Sequence, residues 1–312
     1  MKRIQYHQYG GPEVLQLEEF EPAPLGASDV LVRVRAASAN PMDFGIRSGG
    51  MKVVTGRSFP RALGYDFAGV VETVGRGVTT LRVGDEVFGG TPIKSAGAFA
   101  DAVVTKVEYV VRKPEGLSFE DAATIPTVGI TAYQALFTKG KLQPGQDVFV
   151  HSCLGAVGRG AAQLALAHGA QVSGSCRDTA HQEAHDLGID PVVDFDFGPT
   201  SLAGRFDLVI DTSGNLKVKT AKAMLRPGGR IVGIHPSPVT LARSYLPGPF
   251  HVLFAQPVTT DLEILAKAAD EGRLQLPIAR TVPLSQAIPA LNDLELNRLG
   301  KRGKLIITPD QA

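Results

Sequence analysis

One segment of the chain has the order buried strand, glycine-containing turn, apolar helix. It runs Val148-Phe149-Val150-His151-Ser152-Cys153-Leu154-Gly155-Ala156-Val157-Gly158. In such a turn Gly155 lets backbone approach a pyrophosphate, Gly158 lets helix and strand pack closely, and the helix N-terminus offers free N–H groups. Cys153 occupies the first glycine position of G-x-G-x-x-G, so an ordinary tight turn is the alternative. The turn residues expected to contact a cofactor are Ser152, Leu154, Gly155, Ala156, Val157 and Gly158.

The next predicted strand ends in Gly174-Ser175-Cys176-Arg177-Asp178. An NAD-binding site places a carboxylate at about this distance, on the ribose 2′-hydroxyl, and here Cys176 stands in that place. An acidic residue would repel a 2′-phosphate, whereas Ser175 can donate a hydrogen bond to it and Arg177 can pair with it. The sequence therefore favours NADPH over NADH. The alternative is that Arg177 only points into solvent.

Two further segments follow predicted strands at their carboxyl ends. They are Asp211-Thr212-Ser213-Gly214 and Gly233-Ile234-His235. In open parallel sheets, ligands bind along this edge. We therefore expect Thr212, Gly233, Ile234 and His235 to lie near the cofactor.

The elements that would position these residues alternate between strand and helix after Ser118. Nearly continuous apolar strands spaced by helices are typical of a parallel sheet covered on both faces, which predicts a doubly wound α/β domain. The predicted strands are Val148–Val150, Gln171–Gly174, Leu208–Ile210 and Ile231–Gly233, and the predicted helices are Val157–His168, Thr179–Leu187, Asp261–Glu271 and Ser285–Leu296.

The chain before about Pro114 has a different texture, with short alternating strands separated by glycine and proline. This pattern predicts a small, mostly antiparallel barrel or sandwich. The turn Val83-Gly84-Asp85 needs a residue that can adopt positive φ. A last strand, Lys304–Thr308, is expected to return to this first domain.

Composition narrows the classes of function. A chain of 312 residues exceeds what one core usually serves, which predicts two domains, and 44% hydrophobic with 20% charged residues is ordinary for a globular protein. No apolar run approaches the roughly 20 residues that span a bilayer, and the N-terminus has no signal-like segment. Two cysteines and a net charge of +1 favour a cytoplasmic protein that does not bind nucleic acid.

Several short motifs occur in a fixed order along nearly the whole chain. With them in view, the sequence resembles the zinc-independent quinone oxidoreductase branch of the medium-chain dehydrogenase/reductase superfamily. The motifs are Asn40-Pro41-Met42-Asp43, Leu63-Gly64-Tyr65-Asp66-Phe67-Ala68-Gly69, Val83-Gly84-Asp85-Glu86-Val87, Ala122-Ala123-Thr124-Ile125-Pro126, Thr131-Ala132-Tyr133 and Gly303-Lys304-Leu305.

The resemblance implies an α/β protein made of a GroES-like β-barrel catalytic domain and a doubly wound Rossmann domain. The catalytic domain would comprise residues 1–117, completed by 257–312, and the NADP-binding domain residues 118–256. A cleft between the domains would hold the nicotinamide, and a homodimer would be the commonest assembly. The implied activity is NADPH-dependent transfer of hydride to a quinone or an α,β-unsaturated carbonyl compound.

Zinc-dependent members of the superfamily hold a catalytic metal at positions that here correspond to Asn40, Tyr65 and Thr127. None of these is a usual zinc ligand, so we expect no metal and regard alcohol oxidation as a poor fit. The alternatives are a zinc-free alcohol dehydrogenase, an enoyl reductase acting on carrier-bound chains, and a protein that binds NADPH without catalysis.

Roles for individual residues follow from this resemblance. Asn40 is expected to hold the nicotinamide edge or the acceptor oxygen, and Tyr65 to donate a hydrogen bond to the developing anion, unless it is only an aromatic packed beside the barrel. Thr127 and Thr131 would lie against the nicotinamide ribose. Lys304 would reach the phosphates or ribose, or else lie on the surface. The loop from Tyr245 to His251 would line the acceptor pocket or a subunit contact.

Overall fold

The computed structural model describes residues 1–198, 200–296 and 303–310. Strands are the main regular structure in the first third of the chain and alternate with helices in the middle. The strands, in chain order, are β1 (Lys2–Tyr6), β2 (Gln16–Glu19), β3 (Asp29–Ser38), β4 (Arg61–Ala62), β5 (Asp66–Val74), β6 (Glu86–Gly90), β7 (Ala102–Lys106), β8 (Val110–Arg112), β9 (Asp147–His151), β10 (Gln171–Ser175), β11 (Val192–Val193), β12 (Phe206–Asp211), β13 (Leu225–Gly233), β14 (Phe250–Val252), β15 (Ile278–Pro283) and β16 (Lys304–Thr308).

The helices are mostly short. In the part of the chain that is described, none is long and apolar enough to cross a bilayer. They are α1 (Pro41–Arg47), α2 (Lys52–Thr55), α3 (Phe119–Thr124), α4 (Pro126–Tyr133), α5 (Ala156–Ala167), α6 (His181–Asp186), α7 (Val218–Met224), α8 (Pro238–Ser244), α9 (Thr259–Asp270) and α10 (Ala287–Glu295).

The second structural unit comprises residues 128–256 and 271–274 and is built on a six-stranded sheet. Its strand order is β11-β10-β9-β12-β13-β14, and every pairing in it is parallel. Written from β9 as the first strand, this is the 3-2-1-4-5-6 order of a doubly wound nucleotide-binding fold. The order of strands reverses direction at β9, and β9 is the strand that runs into the glycine turn.

The first structural unit comprises residues 1–127, 257–270 and 275–312 and contains two further sheets. A three-stranded antiparallel sheet has the order β2-β1-β4, and a larger sheet has the order β15-β16-β3-β5-β6-β8 with β7 also paired to β3. The last strand, β16, pairs antiparallel with β3 and so returns to this unit as predicted. The turn at Val83-Gly84-Asp85 has φ +92° at Gly84, as its sequence requires.

The boundary between the two units differs from the predicted one. It falls after Thr127 rather than after residue 117, because α3 packs against β3 and β5 of the first unit. Residues 271–274 belong to the second unit, although the sequence assigned the whole of 257–312 to the first. Leu274 is buried and lies beside Gly160 of α5, which explains this assignment.

Candidate functional site

The predicted cofactor-binding segments of the second unit all leave its sheet at one edge. Hydrogen-bond register places Ser175 beside His151, His151 beside Asp211, and Asp211 beside Gly233. These four residues end β10, β9, β12 and β13. The fold therefore brings the turn at 152–158, the segment at 175–177 and the residues Thr212, Ile234 and His235 to one carboxyl edge.

The turn itself shows why small residues are needed. A Cβ atom on Gly158 would lie 2.1 Å from the carbonyl oxygen of Ser152, so the helix approaches the turn as closely as glycine allows. Ser152 adopts φ +63°, an uncommon backbone conformation for a residue with a side chain. Such conformations cluster where a binding site dictates the backbone.

Helix α5 begins at this turn with its first amide groups available to a ligand. Gly155 is its N-cap, and no side chain of the described residues caps it. Gly155 and Ala156 are exposed, Leu154 and Val157 are half-buried, and Gly158 is buried. An anion placed here would meet unsatisfied N–H groups and the positive end of a twelve-residue helix.

Ser175 is hydrogen-bonded to the residues at the start of the glycine turn. Its side chain is fully buried, its hydroxyl lies 2.6 Å from Nδ1 of His151, and it accepts a hydrogen bond from the backbone N–H of Ser152 at 3.2 Å. We predicted that this hydroxyl would bind a 2′-phosphate. The structure instead gives it partners inside the protein, because β10 and β9 end side by side. Arg177, two residues later, is exposed.

A second group of hydrogen bonds to the segment before the turn forms at the end of β12. The Thr212 hydroxyl donates to the carbonyl oxygen of His151 at 2.7 Å, and His235 lies 3.1 Å from the carbonyl oxygen of Thr212. Asp211 accepts hydrogen bonds from the backbone N–H groups of Ser213, Gly214 and Leu216. Burial lowers the pKa of His151, and nearby Asp211 opposes this shift. A neutral, buried imidazole therefore underlies the turn.

The first unit contains a cluster of buried polar side chains around Asn40. Its amide nitrogen donates to Asp66 Oδ2 at 2.9 Å and to the carbonyl oxygen of Ser38 at 3.3 Å, and its amide oxygen accepts from Lys304 Nζ at 2.5 Å. Asn40 is 2% exposed, Asp66 1% and Lys304 5%. Asn40 thus bridges a buried ammonium and a buried carboxylate.

Two more residues complete this buried cluster. Thr127 donates its backbone N–H and its hydroxyl to Asp66, the hydroxyl at 2.6 Å. Asp43, fully buried at the start of α1, accepts the backbone N–H of Asn40 at 2.7 Å. Burial raises the pKa of Asp66, opposed by Lys304, Thr127 and Asn40, and lowers the pKa of Lys304, opposed by Asp66 and Asp43. Each charge depends on the others for compensation.

These contacts bear on the predicted roles of three residues. Lys304 is neither on the surface nor free to reach a phosphate, because its ammonium group is buried against Asn40. The amide nitrogen and oxygen of Asn40 are both hydrogen-bonded within the cluster, and its predicted contact with the nicotinamide or the acceptor oxygen stays a prediction. The Tyr65 hydroxyl donates to the carbonyl oxygen of Ile93 at 3.0 Å, and burial raises its pKa, which favours a packing role.

Thr127 and Thr131 remain the half-buried members of the predicted site. Thr127 belongs to the buried cluster through its bonds to Asp66. Thr131 lies further along the same helix, α4, two residues before its end at Tyr133, and belongs to the second unit. Their predicted contact with a nicotinamide ribose stays a prediction.

The surroundings of Asn40 also test whether a metal ion would fit there. Within residues 1–198, 200–296 and 303–310, no three His, Cys, Asp or Glu side chains are grouped so that they could hold a metal ion. The oxygen of Asn40 is already bonded to the Lys304 ammonium, whose positive charge would repel a divalent cation. These residues do not fit a zinc site.

Asp43 makes the stability of the protein depend on pH in a way that a single variant can test. The pKa of Asp43 is raised from 3.8 to about 7, chiefly by burial and in smaller part by the charge of Asp66, against the opposing hydrogen bond from the backbone N–H of Asn40. Between these values the folded protein holds a proton that the unfolded chain has lost. The stability that Asp43 contributes is therefore present below about pH 4 and is lost as the pH rises towards about 7.

We expect Asp43→Asn, which cannot titrate, to remove this dependence. The difference in free energy of unfolding between the variant and the natural protein should change by up to about 1.4 kcal/mol per pH unit between about pH 4 and 7 and then level off, with the variant gaining. Urea titrations at several pH values measure it. Parallel curves for the two proteins would show that Asp43 does not hold the proton.

Sequence reasoning missed Asp43, Asp66 and His151. A signal for Asp43 was present, because Asn40-Pro41-Met42-Asp43 has the spacing of a helix-capping box with proline at the first helical position. Asp66 carries no local signal. Its importance arises only when Asn40, Thr127 and Lys304 meet around it in space.

Comparison with known proteins bears directly on this arrangement. The family model described as an alcohol dehydrogenase GroES-like domain matches residues 26–115, and the one described as a zinc-binding dehydrogenase matches residues 187–307. The first lies in the barrel-like unit and the second covers much of the parallel sheet and the chain's return. A barrel-like unit and a doubly wound unit in one chain are the architecture of the medium-chain dehydrogenases/reductases.

Individual proteins narrow the class. Human quinone oxidoreductase is 30% identical over 241 residues, which are 74% of this chain and 72% of that protein. The mitochondrial NAD(P)H oxidoreductase RTN4IP1 of Danio rerio is 32% identical over 70% of this chain, and the match spans 62% of that protein's length.

Solved structures of quinone oxidoreductases have folds similar to that of this chain over nearly its whole length. The quinone oxidoreductase of Coxiella burnetii has a TM-score of 0.90 and 30% identity, with 99% of both chains covered. The Escherichia coli quinone oxidoreductase, solved in complex with NADPH, has a TM-score of 0.83 and 25% identity over 99% of this chain and 100% of that one. The chain belongs to the quinone oxidoreductase branch of the medium-chain dehydrogenase/reductase superfamily. It is an oxidoreductase with a GroES-like and a Rossmann domain.

Proposed function

We propose that this protein is an NADPH-dependent reductase that delivers hydride to a quinone or an α,β-unsaturated carbonyl acceptor without a metal ion. The carrying observation is the row of strand ends at Ser175, His151, Asp211 and Gly233, with the α5 N-terminus opening beside it. This arrangement suits a dinucleotide pyrophosphate. When bound, the nicotinamide would supply the hydride.

The chain's own residues would act on the cofactor by position and charge. The N–H groups of Ala156, Val157 and Gly158 would face the pyrophosphate, and Leu154 and Ser152 would shape the turn around it. Thr212, Ile234 and His235 would border the nucleotide from the neighbouring strand ends. The His151–Ser175 contact and the Thr212 bond to His151 hold this edge in place before any ligand arrives.

The proposed preference for NADPH depends on the charges near the end of β10, where an unpaired carboxylate would repel a 2′-phosphate and Arg177 would attract it. Two carboxylates, Glu183 and Asp194, lie close enough to Cys176 to raise the pKa of its thiol further, after the larger effect of burial. Glu183 is ion-paired with Arg159, and Asp194 lies 3.1 Å from the His181 imidazole. Each of these carboxylates thus has a basic partner, and the exposed Arg177 would pair with a 2′-phosphate. The NADPH complex of the Escherichia coli relative supports the same choice.

Arg177→Ala should therefore separate the two nicotinamides. Loss of a charge-assisted pair is worth about 1.5 kcal/mol, so we expect NADPH to bind roughly tenfold more weakly while NADH binding is unchanged. Fluorescence titration with each cofactor measures this. Arg205→Ala is the matched control, because Arg205 is exposed at the opposite, amino end of β12. An equal loss for both cofactors would assign Arg177 no role in selectivity.

The acceptor side needs few catalytic groups. A quinone or enone accepts hydride readily once it is aligned with the nicotinamide, so the protein acts mainly by orientation and exclusion of water. The residues around Asn40 do not fit the metal that would activate an alcohol, which supports reduction of an activated acceptor rather than alcohol oxidation.

Parallel assays test this proposal. NADPH consumption is followed with 1,2-naphthoquinone and with an enone, and NADP⁺ reduction is followed with a primary alcohol. Each assay is repeated with NADH or NAD⁺ in place of the phosphorylated cofactor. We expect turnover with the quinone or enone and none with the alcohol. Turnover with the alcohol alone would overturn the proposal, and tight NADPH binding without turnover of any acceptor would indicate a non-catalytic binding protein.

We also propose that the protein is cytoplasmic and forms a homodimer. The two free thiols are in keeping with a reducing compartment, and the apolar side chains beside one edge of the parallel sheet are in keeping with a subunit contact. Strand β14 is the last strand of the parallel sheet, and Tyr245 and Leu246 just before it are 87% and 66% exposed. Exposed apolar side chains beside an open strand edge favour a subunit contact. Light scattering should give twice 33.0 kDa, and Leu246→Glu should shift the mass to that of the monomer.

A further inference from the structure

The two cysteines of the chain lie side by side at the glycine turn. Cys153 is fully buried, Cys176 is 3% exposed, and both are free thiols. The backbone N–H of Cys153 donates to the carbonyl oxygen of Ser175 at 3.0 Å, which makes Cys153 a direct neighbour of the next residue, Cys176. The thiols interact with each other. Nothing in the proposed reaction uses this pair.

The backbone around the pair leaves room for the two sulfur atoms to meet. Cys153 Sγ lies only 2.8 Å from where a Cβ atom on Gly174 would be, so the thiol extends across the end of β10 in space that glycine leaves open. Neighbouring strands lie about 4.8 Å apart. A disulfide joins Cα atoms about 4.4–6.8 Å apart, so adjacent strand ends meet its requirement.

We propose that Cys153 and Cys176 are a redox-modification site, and that their oxidation to an internal disulfide weakens binding of the dinucleotide at the adjoining turn. With hydrogen peroxide as oxidant, one thiol loses its proton and the thiolate attacks a peroxide oxygen. The O–O bond breaks, which gives a sulfenic acid and a hydroxide that takes up the released proton to form water. The second thiol then attacks that sulfur, which forms the S–S bond and releases a second water. The two thiols lose two electrons in total and the peroxide gains them.

A disulfide would act on the turn because Cys153 lies between Ser152 and Leu154. Ser152 holds an uncommon backbone conformation, and the carbonyl oxygen of Ser152 is the atom closest to Gly158. A bond from Cys153 to Cys176 would pull this segment towards β10 and alter the position of the α5 N-terminus. The expected effect on NADPH rests on the proposed function.

Oxidation should be slow and should be slowed further by the cofactor. Burial raises the pKa of Cys153 to about 12 and also raises that of Cys176, so the thiolate that reacts forms only when the turn opens. A bound dinucleotide holds the turn closed. Because coupling between two sites is reciprocal, a disulfide that weakens cofactor binding implies a cofactor that opposes the disulfide.

The experiment treats the whole protein with hydrogen peroxide, with and without NADP⁺, then denatures it and alkylates the remaining thiols. Mass spectrometry counts labels and identifies the linked peptides. We expect both thiols to be lost together in one Cys153–Cys176 linkage, restored by dithiothreitol and slowed by NADP⁺. Fluorescence titration should show NADPH binding about tenfold weaker to the oxidised protein, within the usual range of coupling between sites.

Cys153→Ser and Cys176→Ser are the controls, since each leaves one thiol and neither can form the linkage. Peroxide should leave their NADPH affinity close to that before treatment. Two labelled thiols after peroxide, a linkage between different chains, or a disulfide with unchanged NADPH affinity would each overturn the proposal. The thiol count needs no cofactor, so it distinguishes this failure from a reduced protein that binds no dinucleotide, which would overturn the proposed function.

Discussion

Gly158→Ala is expected to weaken dinucleotide binding severely. The added Cβ would lie 2.1 Å from the carbonyl oxygen of Ser152, 2.9 Å from its carbonyl carbon and 3.0 Å from Cys153 Cα. All three are backbone atoms, so the turn itself must move. Overpacking of this kind costs about 1–3 kcal/mol, which corresponds to roughly a 5- to 150-fold loss of affinity if binding restores the original turn.

Gly160→Ala provides a control two residues along the same helix. Its Cβ would meet the side chains of Ala132, Leu274 and Val128, at 3.5, 3.7 and 3.7 Å, which is ordinary contact. Alanine is also the better helix former by up to about 1 kcal/mol, so this variant should keep its affinity and its stability. Fluorescence titration with NADPH compares the two. Equal affinities in both variants would mean that the turn at Gly158 does not contact the cofactor.

Lys304→Met is expected to destabilise the first unit more than a typical substitution does. It removes the buried ammonium while Asp66 and Asp43 remain buried, and it leaves the oxygen of Asn40 without its donor. Removal of one partner from a buried charged network costs about 3–5 kcal/mol. Urea denaturation of the variant and the natural protein measures the change in free energy of unfolding.

A second variant shows whether charge is the cause. In Lys304→Met with Asp66→Asn, the uncompensated carboxylate at Asp66 is also removed, so the double variant should be more stable than Lys304→Met alone. Lys94→Met, in an exposed turn of the same unit, should change stability by less than about 0.5 kcal/mol. Additive losses in the double variant would show that Lys304 acts through packing and not through the buried carboxylates.

The buried cluster gives the first unit a polar interior around Asn40 in which buried charges compensate one another. Its cation is the ammonium of Lys304, delivered by the last strand, and its anions come from α1 and the start of β5. Such a cluster orders the loop at Asn40 and the start of α4 at Thr127. Both segments were predicted to lie near the nicotinamide. We therefore expect the cluster to position these segments and to take no part in the hydride transfer itself.

Much of the second unit was predictable because its signals are local. The strand, turn and helix at 148–158 follow from apolar runs and glycines that are adjacent in the chain, and the helix predicted at Val157–His168 is observed at Ala156–Ala167. The parallel sheet follows from the alternation of such strands with helices. Because parallel strands end at the same edge, the meeting of Ser175, Thr212 and Gly233 follows as well.

The cluster around Asn40 was not predictable, and Lys304 shows why. A lysine near the end of a chain is most often exposed, and its hydrogen-bond partner Asn40 lies 264 positions away. Ser175 is a similar case. From the sequence its hydroxyl could be expected to bind a phosphate, but the pairing of β10 with β9 places His151 beside it. Hydrophobic period and turn chemistry act over a few residues, so the sequence by itself determined the elements, their order and the glycine turn before α5. Tertiary structure alone decided which polar groups were buried and which partners compensated them, because that depends on segments far apart in the chain.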